Sequence, residues 1–270
     1  MALDLTPPLS DSVLTFQEFK RRCDRLVRRD DEASLQSLAA DLAALARNKS
    51  EFANYVYADL VGETYRPTTG TVGLMYSDQC TVLLRGDGYY IRIASWDRPA
   101  SGDEHAAWGK TYFSYDFAHH HDFSLLTVGL LGPGYVTENY WLDAPPQVLM
   151  PGDPVELESQ PSQQLSEGSV LLYRKWHDIH VQHPPRSFSV SLNLIVEGSA
   201  IPQYSFDVRR MQVGTQIGGK YINELRALAI ADSVGLQRPS AAVGDLPADY
   251  VDLFLSRASG AFERRNDQAI

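Results

Sequence analysis

Cysteine is scarce in this 270-residue chain: Cys23 and Cys80 are the only two. Two cysteines are too few for a disulfide framework, and their scarcity fits a reducing compartment. Long apolar runs are missing too; none approaches the ~20 residues a membrane-spanning helix needs. The first residues, "MALDLTPPLSDS", have neither the basic nor the apolar region of a signal peptide, so the expected location is the cytoplasm. Positive charge is short as well. With 24 Lys and Arg against 34 Asp and Glu, the net charge is −10, which argues against nucleic acid as a partner because phosphate binding needs a basic surface. There is no internal repeat and no low-complexity tract.

What the chain does have is unevenly placed histidine. Of seven histidines, His119, His120 and His121 are consecutive, and His177, His180 and His183 fall close together in "RKWHDIHVQHPPRS". Only His105 lies outside the two clusters. The triplet is internal and flanked by patterned sequence, so it is not a purification tag.

The surrounding pattern divides the chain into three stretches. Residues 1–62 read as a helical segment: Ser10 or Asp11 offers a cap, then Val13, Phe16, Phe19 and Cys23 recur at helical spacing, and Leu35, Leu38, Leu42 and Leu45 repeat it. Over 63–215 the period changes to short runs rich in β-branched and aromatic residues: "TVGLMY", "QCTVLLRG", "GYYIRIASW", "TYFSYDF", "SLLTVGLLG", "GYVTENYWL", "GSVLLYRKW", "SFSVSLNLIVEG" and, as a last strand, "IPQYSFDVRRMQV". A Pro, Gln and Ser-rich stretch at 145–167 reads as a long loop carrying one short strand. Residues 216–270 turn helical again. Strands with no helices between them predict a mainly β fold, an antiparallel barrel or jelly roll between helical ends.

A divalent metal needs donor atoms converging from more than one segment. On a strand, residues two apart share a face, so His119 and His121 can aim at one ion and a histidine of "WHDIHVQH" can join them. Three protein ligands leave positions open for water, substrate or dioxygen, the form a catalytic metal site takes.

At these residues the sequence resembles the cupin superfamily, and within it the thiol dioxygenases related to cysteine dioxygenase. His119-His120-His121 stands where that family has His-x-His; "LLTVGLLGPGYVTENYW" follows with its Gly-containing turn; "GSVLLYRKWHDIH" leads from Gly168 to His180; "SFSVSLNLIV" is the return strand. The resemblance covers roughly residues 80–197. It implies a cupin β-barrel holding one Fe(II) per chain through His119, His121 and His180, and a dioxygenase acting on a small polar metabolite, a thiol or amino-acid derivative, with dioxygen as co-reactant. Most cupins carry a glutamate ligand shortly after the second histidine; here those positions are Leu125 and Leu126, a departure that thiol dioxygenases share. Their return strand carries Ser-x-His-x-Tyr, whereas this chain keeps Ser191 but has Asn193 and Ile195. No arginine stands where that family clamps a substrate carboxylate. Arg92, Arg174, Ser191 and Asn193 are the candidates for holding substrate, and cysteine itself is not the expected one.

The same stretch supports a second register. "HHDFSLLTVGLL" also resembles the His-x-Asp strand of 2-oxoglutarate oxygenases, with His120, Asp122 and His177 as ligands and Arg186 holding the cosubstrate. One register turns odd residues inward and the other even ones. On the return strand Val190, Leu192, Leu194 and Val196 make an apolar face opposite polar Ser189, Ser191 and Asn193, which favours odd residues facing a cavity. A metal- or ligand-binding cupin without catalysis is the third possibility.

Overall fold

The computed structural model describes residues 2–28, 31–50, 53–54, 79–98, 109–110, 113–144, 149–197, 202–218, 222–233, 251–252 and 255. "TVGLMY", His105 and most of the expected C-terminal helical segment lie outside them.

Among the described residues twelve strands form two antiparallel six-stranded sheets. In chain order they are β1 (Leu3–Asp4), β2 (Cys80–Gly86), β3 (Tyr89–Trp96), β4 (Ala118–His119), β5 (Ser124–Leu131), β6 (Val136–Leu142), β7 (Leu157–Gln164), β8 (Val170–Tyr173), β9 (Asp178–His183), β10 (Ser189–Val196), β11 (Gln203–Asp207) and β12 (Gln212–Gly218). The first sheet runs β1-β8-β5-β10-β3-β2 and the second β12-β11-β4-β9-β6-β7. From β3 to β10 the chain passes between the sheets so that β8-β5-β10-β3 faces β4-β9-β6-β7. That order is the double-stranded β-helix, or jelly roll, of the cupins.

Among the described residues three helices lie between β1 and β2, α1 (Phe16–Leu26), α2 (Glu32–Ser37) and α3 (Ala39–Arg47), and α4 (Ile222–Ser233) follows β12. The cap of α1 is neither Ser10 nor Asp11 but Thr15. Its hydroxyl accepts from the Glu18 amide at 3.1 Å while Glu18 accepts from the Thr15 amide at 2.9 Å, a reciprocal box that starts the helix later than its apolar spacing suggests. Val13 therefore precedes the helix and is exposed, whereas Phe16, Phe19 and Cys23 are buried. Among the described residues no helix is long and apolar enough to cross a membrane.

Strand alternation produces three apolar layers. The even residues Leu126, Val128 and Leu130 of β5, and Leu192, Leu194 and Val196 of β10, pack against Phe16, Phe19, Leu38, Leu42 and Leu45 of the helices. Between the sheets lie Tyr90, Trp96, Phe123, Leu125, Tyr135, Tyr173 and Ile195. Ala118, Trp176, Ile179, Val181, Tyr204 and Phe206 form a third cluster on the other face of the second sheet. Odd residues of β5 and β10 thus face the interior.

Local differences from the sequence reading have local causes. "TYFSYDF" is not a strand: residues 111–112 lie outside the description, and Ser114 and Asp116 take positive φ of 57° and 61°, a conformation that breaks a ladder. "IPQYSFDVRRMQV" is two strands, β11 and β12, because Asp207 accepts from the amides of Arg209 and Arg210 and turns the chain. The Pro/Gln/Ser-rich stretch supplies an eight-residue strand, β7, at the edge of its sheet, where Pro161 removes no ladder bond.

Candidate metal centre

The β4–β9 ladder pairs His119 directly with His180, and His121 follows just past the end of β4. Ring centroids are 4.5 Å apart for His119 and His180, and 5.1 Å for His121 with each of the others. One ring nitrogen from each lies within 4.8 Å of the other two, and among the described residues no other group of three or more His, Cys, Asp and Glu converges in this way. His119 Nδ1 sits 3.2 Å from the Phe117 carbonyl, to which it donates, leaving Nε2 with its lone pair.

These three residues suit a divalent metal. Burial lowers the pKa of His119 to about 4 against the opposing bond to Phe117. Burial, then the neighbouring histidine His119, carries His121 well below its usual value; burial, then His119 and His121, does the same for His180. All three are neutral donors near pH 7. His180 Nδ1 is buried with no hydrogen-bond partner. Three imidazole nitrogens that converge from two strands could close on one such ion.

The His120, Asp122 and His177 set does not assemble. The His120 ring points to the opposite face of its sheet, among Trp176, Tyr204 and Phe206 at 4.8, 5.7 and 5.3 Å. His177 is stacked on Trp141 at 4.7 Å, with Nδ1 2.7 Å from the Leu142 carbonyl. Asp122 accepts from Gln203 Nε2 at 2.6 Å, and Arg186 is exposed.

A cavity of about 460 Å³ lies beside His119 and His121. Arg92, Gln79, Ser114, Gln182, Asn193 and Gln203 are among its polar groups; Trp96, Phe117, Phe123 and Tyr135 are among its aromatic walls; among the described residues no carboxylate lines it. The Arg92 guanidinium lies 6.0 Å from the Phe123 ring, which stacks on His121 at 4.5 Å, so cation and histidines share one wall. Of the four substrate candidates, Arg92 and Asn193 line the cavity. Asn193 accepts from Thr127 at 2.6 Å. Ser191 does not line it: its hydroxyl accepts from the Trp96 indole at 3.0 Å and positions that wall. Arg174 is not among the residues that line the cavity. Its Nε and Nη2 each donate to Asp178 at 2.9 Å, its guanidinium lies 4.2 Å over Trp141, and it is away from the cavity. The pair is local because Arg174 and Asp178 flank the β8–β9 turn.

Sequence reasoning missed Tyr135, Gln182, Gln203 and Cys80. Gln182 was within reach of it, since inward His180 on a strand implies inward Gln182. Cys80 lines the cavity, with burial raising its pKa against the charge of Arg92. Burial pushes the Tyr135 phenol to about 12, so it remains a hydrogen-bond donor at neutral pH. At the surface His183 bridges Glu138 at 2.9 Å and Asp116 at 3.0 Å.

Buried neutral histidines make the metal-free protein acid-sensitive. Their folded pKa values lie below the unfolded 6.5, down to about 4 for His119 and about 3 for His120. Their contribution is complete above pH 6.5 and is lost as pH falls, because the unfolded chain takes up protons that the folded chain refuses. Asp122 has the opposite sign: burial, opposed by Gln203, raises it to about 6, so its contribution is full below 3.8 and is lost as pH rises through 6. His119, His120 and His180, all buried, outweigh one carboxyl, each costing on the order of 1–2 kcal/mol between pH 7 and 5. The urea midpoint of metal-free protein is expected to drop clearly over that interval; an unchanged midpoint would contradict the burial.

No protein-family profile matches the chain, and comparison with curated proteins finds no match. Solved structures similar to it include the DMSP lyase DddQ from Ruegeria pomeroyi DSS-3, 13% identical, covering 60% of this chain and 74% of that one at a TM-score of 0.31. Hydroquinone 1,2-dioxygenase PnpCD, in complex with Cd2+ and 4-hydroxybenzonitrile, is 16% identical, with 46% and 66% covered and a TM-score of 0.30. Procruciferin, an 11S globulin from Brassica napus, is 8% identical, with 64% and 41% covered and a TM-score of 0.30. The chain spans less than two thirds of the length of the last two. Likenesses at this level carry neither activity nor ligand across, and the jelly-roll architecture of this chain rests on its own strand order.

Proposed function

We propose that this protein is a mononuclear non-heme iron dioxygenase that binds Fe(II) through His119, His121 and His180 and acts on a small anionic metabolite without 2-oxoglutarate. The convergence of three neutral imidazole nitrogens within 4.8 Å, beside a cavity that no carboxylate lines among the described residues, carries this reading. Bound Fe(II) would supply open coordination positions for substrate and dioxygen. The residues of the chain do the rest. Three neutral ligands leave the full positive charge of the ion in the cavity, and Arg92 adds to it, so an anionic substrate is drawn in and held at two points. Trp96, Phe117 and Phe123 keep water from the reacting atoms, and Tyr135 and Gln182 offer polar hydrogens to a polar product. A thiolate going to a sulfinate gives up all four electrons that dioxygen takes, and both oxygen atoms enter the product, so no second reductant is required.

Oxygen uptake by Fe(II)-loaded protein over a panel of thiols and amino-acid derivatives tests this. Turnover is expected without 2-oxoglutarate, with free cysteine a poor substrate because Ile195 stands where the thiol dioxygenases have tyrosine. Asp122→Asn should keep its iron, since Gln203 and not a metal engages that carboxylate, and Arg186→Ala should leave turnover unchanged. Succinate formed in step with product, and lost in both variants, would transfer the site to His120, Asp122 and His177. One metal per chain with no oxygen uptake across the panel would favour the non-catalytic binder.

A further inference from the structure

His121 is the most exposed of the three histidines and stands outside the ladder that holds the other two. We infer that Gln203 and Asp122 are its positioning residues: together they fix which ring nitrogen carries the proton and turn the other toward the metal. The inference rests on the metal reading above.

Register places the three groups together. β11 pairs with β4 so that Ser205 opposes His119, and the His120 amide donates to the Tyr204 carbonyl at 3.3 Å, which sets Gln203 opposite His121. The side-chain amide of Gln203 has one donor end and one acceptor end. Its Nε2 donates to Oδ1 of Asp122 at 2.6 Å, a carboxylate group only 8% exposed. With the nitrogen held there, Oε1 faces Nδ1 of His121 at 3.4 Å. A carbonyl oxygen can only accept, so it selects the tautomer with hydrogen on Nδ1 and the lone pair on Nε2. His119 reaches the same state by a different route, through the Phe117 carbonyl. The chain Asp122–Gln203–His121 also passes negative charge density to the ring and strengthens it as a donor. Asp122, a ligand in the rival register, thus acts on the metal through two intermediates.

Co(II) alone, titrated into metal-free protein against a competing chelator and followed by its visible absorption, provides the test. Gln203→Met fills similar volume without the amide and is expected to weaken Co(II) binding roughly 10–100-fold. Asp122→Leu should match it, and the double variant should be no weaker than either, because both act along one path. Asp122→Asn keeps an oxygen for Gln203 Nε2 and should bind within a few-fold of wild type. Long-range 1H–15N spectra of the Zn(II)-loaded protein should show hydrogen on Nδ1 of His121 in wild type. Wild-type protein that binds Co(II) while Gln203→Met binds it equally tightly overturns the positioning role alone. Losses that add in the double variant also overturn it. Wild-type protein that takes up no Co(II) overturns the metal reading, and the positioning role with it. Should Gln203→Met not fold, Gln203→Asn, one methylene too short to reach both partners, tests the same outcomes.

Discussion

Replacing His119, His121 or His180 by alanine is expected to reduce bound iron from close to one ion per chain to near zero. Each replacement leaves two imidazoles, and among the described residues no side chain is placed to substitute: Asp122 is engaged by Gln203, and His120 faces away among Trp176, Tyr204 and Phe206. Two imidazoles and water hold a first-row divalent ion far more weakly than three. His177→Ala and His183→Ala should keep the metal, since His177 is stacked on Trp141 and His183 bridges Asp116 and Glu138. Removing a buried ring also opens a void, so near-ultraviolet circular dichroism of the metal-free variants must show an intact core. Metal counted by elemental analysis decides the matter. Undiminished occupancy in His180→Ala would contradict the assignment, and loss in His177→Ala would favour the other register.

The second large effect falls on substrate affinity. Arg92 is nearly buried, at 9% exposure, and is the one arginine or lysine lining the cavity among the described residues. Charge-paired groups in such surroundings are worth roughly 2–5 kcal/mol when one member is truncated. Arg92→Leu should therefore raise KM for the best acidic substrate by about 10² to 10³-fold, at ~1.4 kcal/mol for each factor of ten. kcat should fall far less if the anion is held alike in ground and transition states. Arg92→Lys keeps the charge but not the planar fork, and should fall between the two. Steady-state kinetics on an acid and its neutral amide provide the check: the amide should be insensitive to the substitution. Equal losses for both compounds would show that Arg92 supports the wall and does not bind the anion.

Much of this site was legible because the two faces of a strand differ in chemistry. The apolar row Val190, Leu192, Leu194 and Val196 against Ser191 and Asn193 indicated which face of the return strand meets the helices. Leu126, Val128 and Leu130 said the same of β5, and the structure places both rows under α1 and α3. That alternation is local and survives in sequence. The residues that complete the cavity did not, because strands far apart in the chain deliver them. Gln203 meets His121 only through the β4–β11 ladder, and Tyr135 reaches the interior from the β5–β6 turn. Arg174 misled because its partner Asp178 is four residues away, across a turn whose shape depends on Trp176 at a φ of 69°. The N-cap was missed for a similar reason, since apolar spacing begins at Val13 while the hydrogen-bonded box begins at Thr15.

The most direct test of the account is anomalous diffraction at the iron edge from crystals of the protein loaded anaerobically with Fe(II). One peak per chain is expected, with nitrogen donors from His119, His121 and His180 at about 2.0–2.3 Å and the remaining positions open toward Arg92. A peak bound by His120, Asp122 and His177, or confined to the His183, Asp116 and Glu138 cluster, would contradict it.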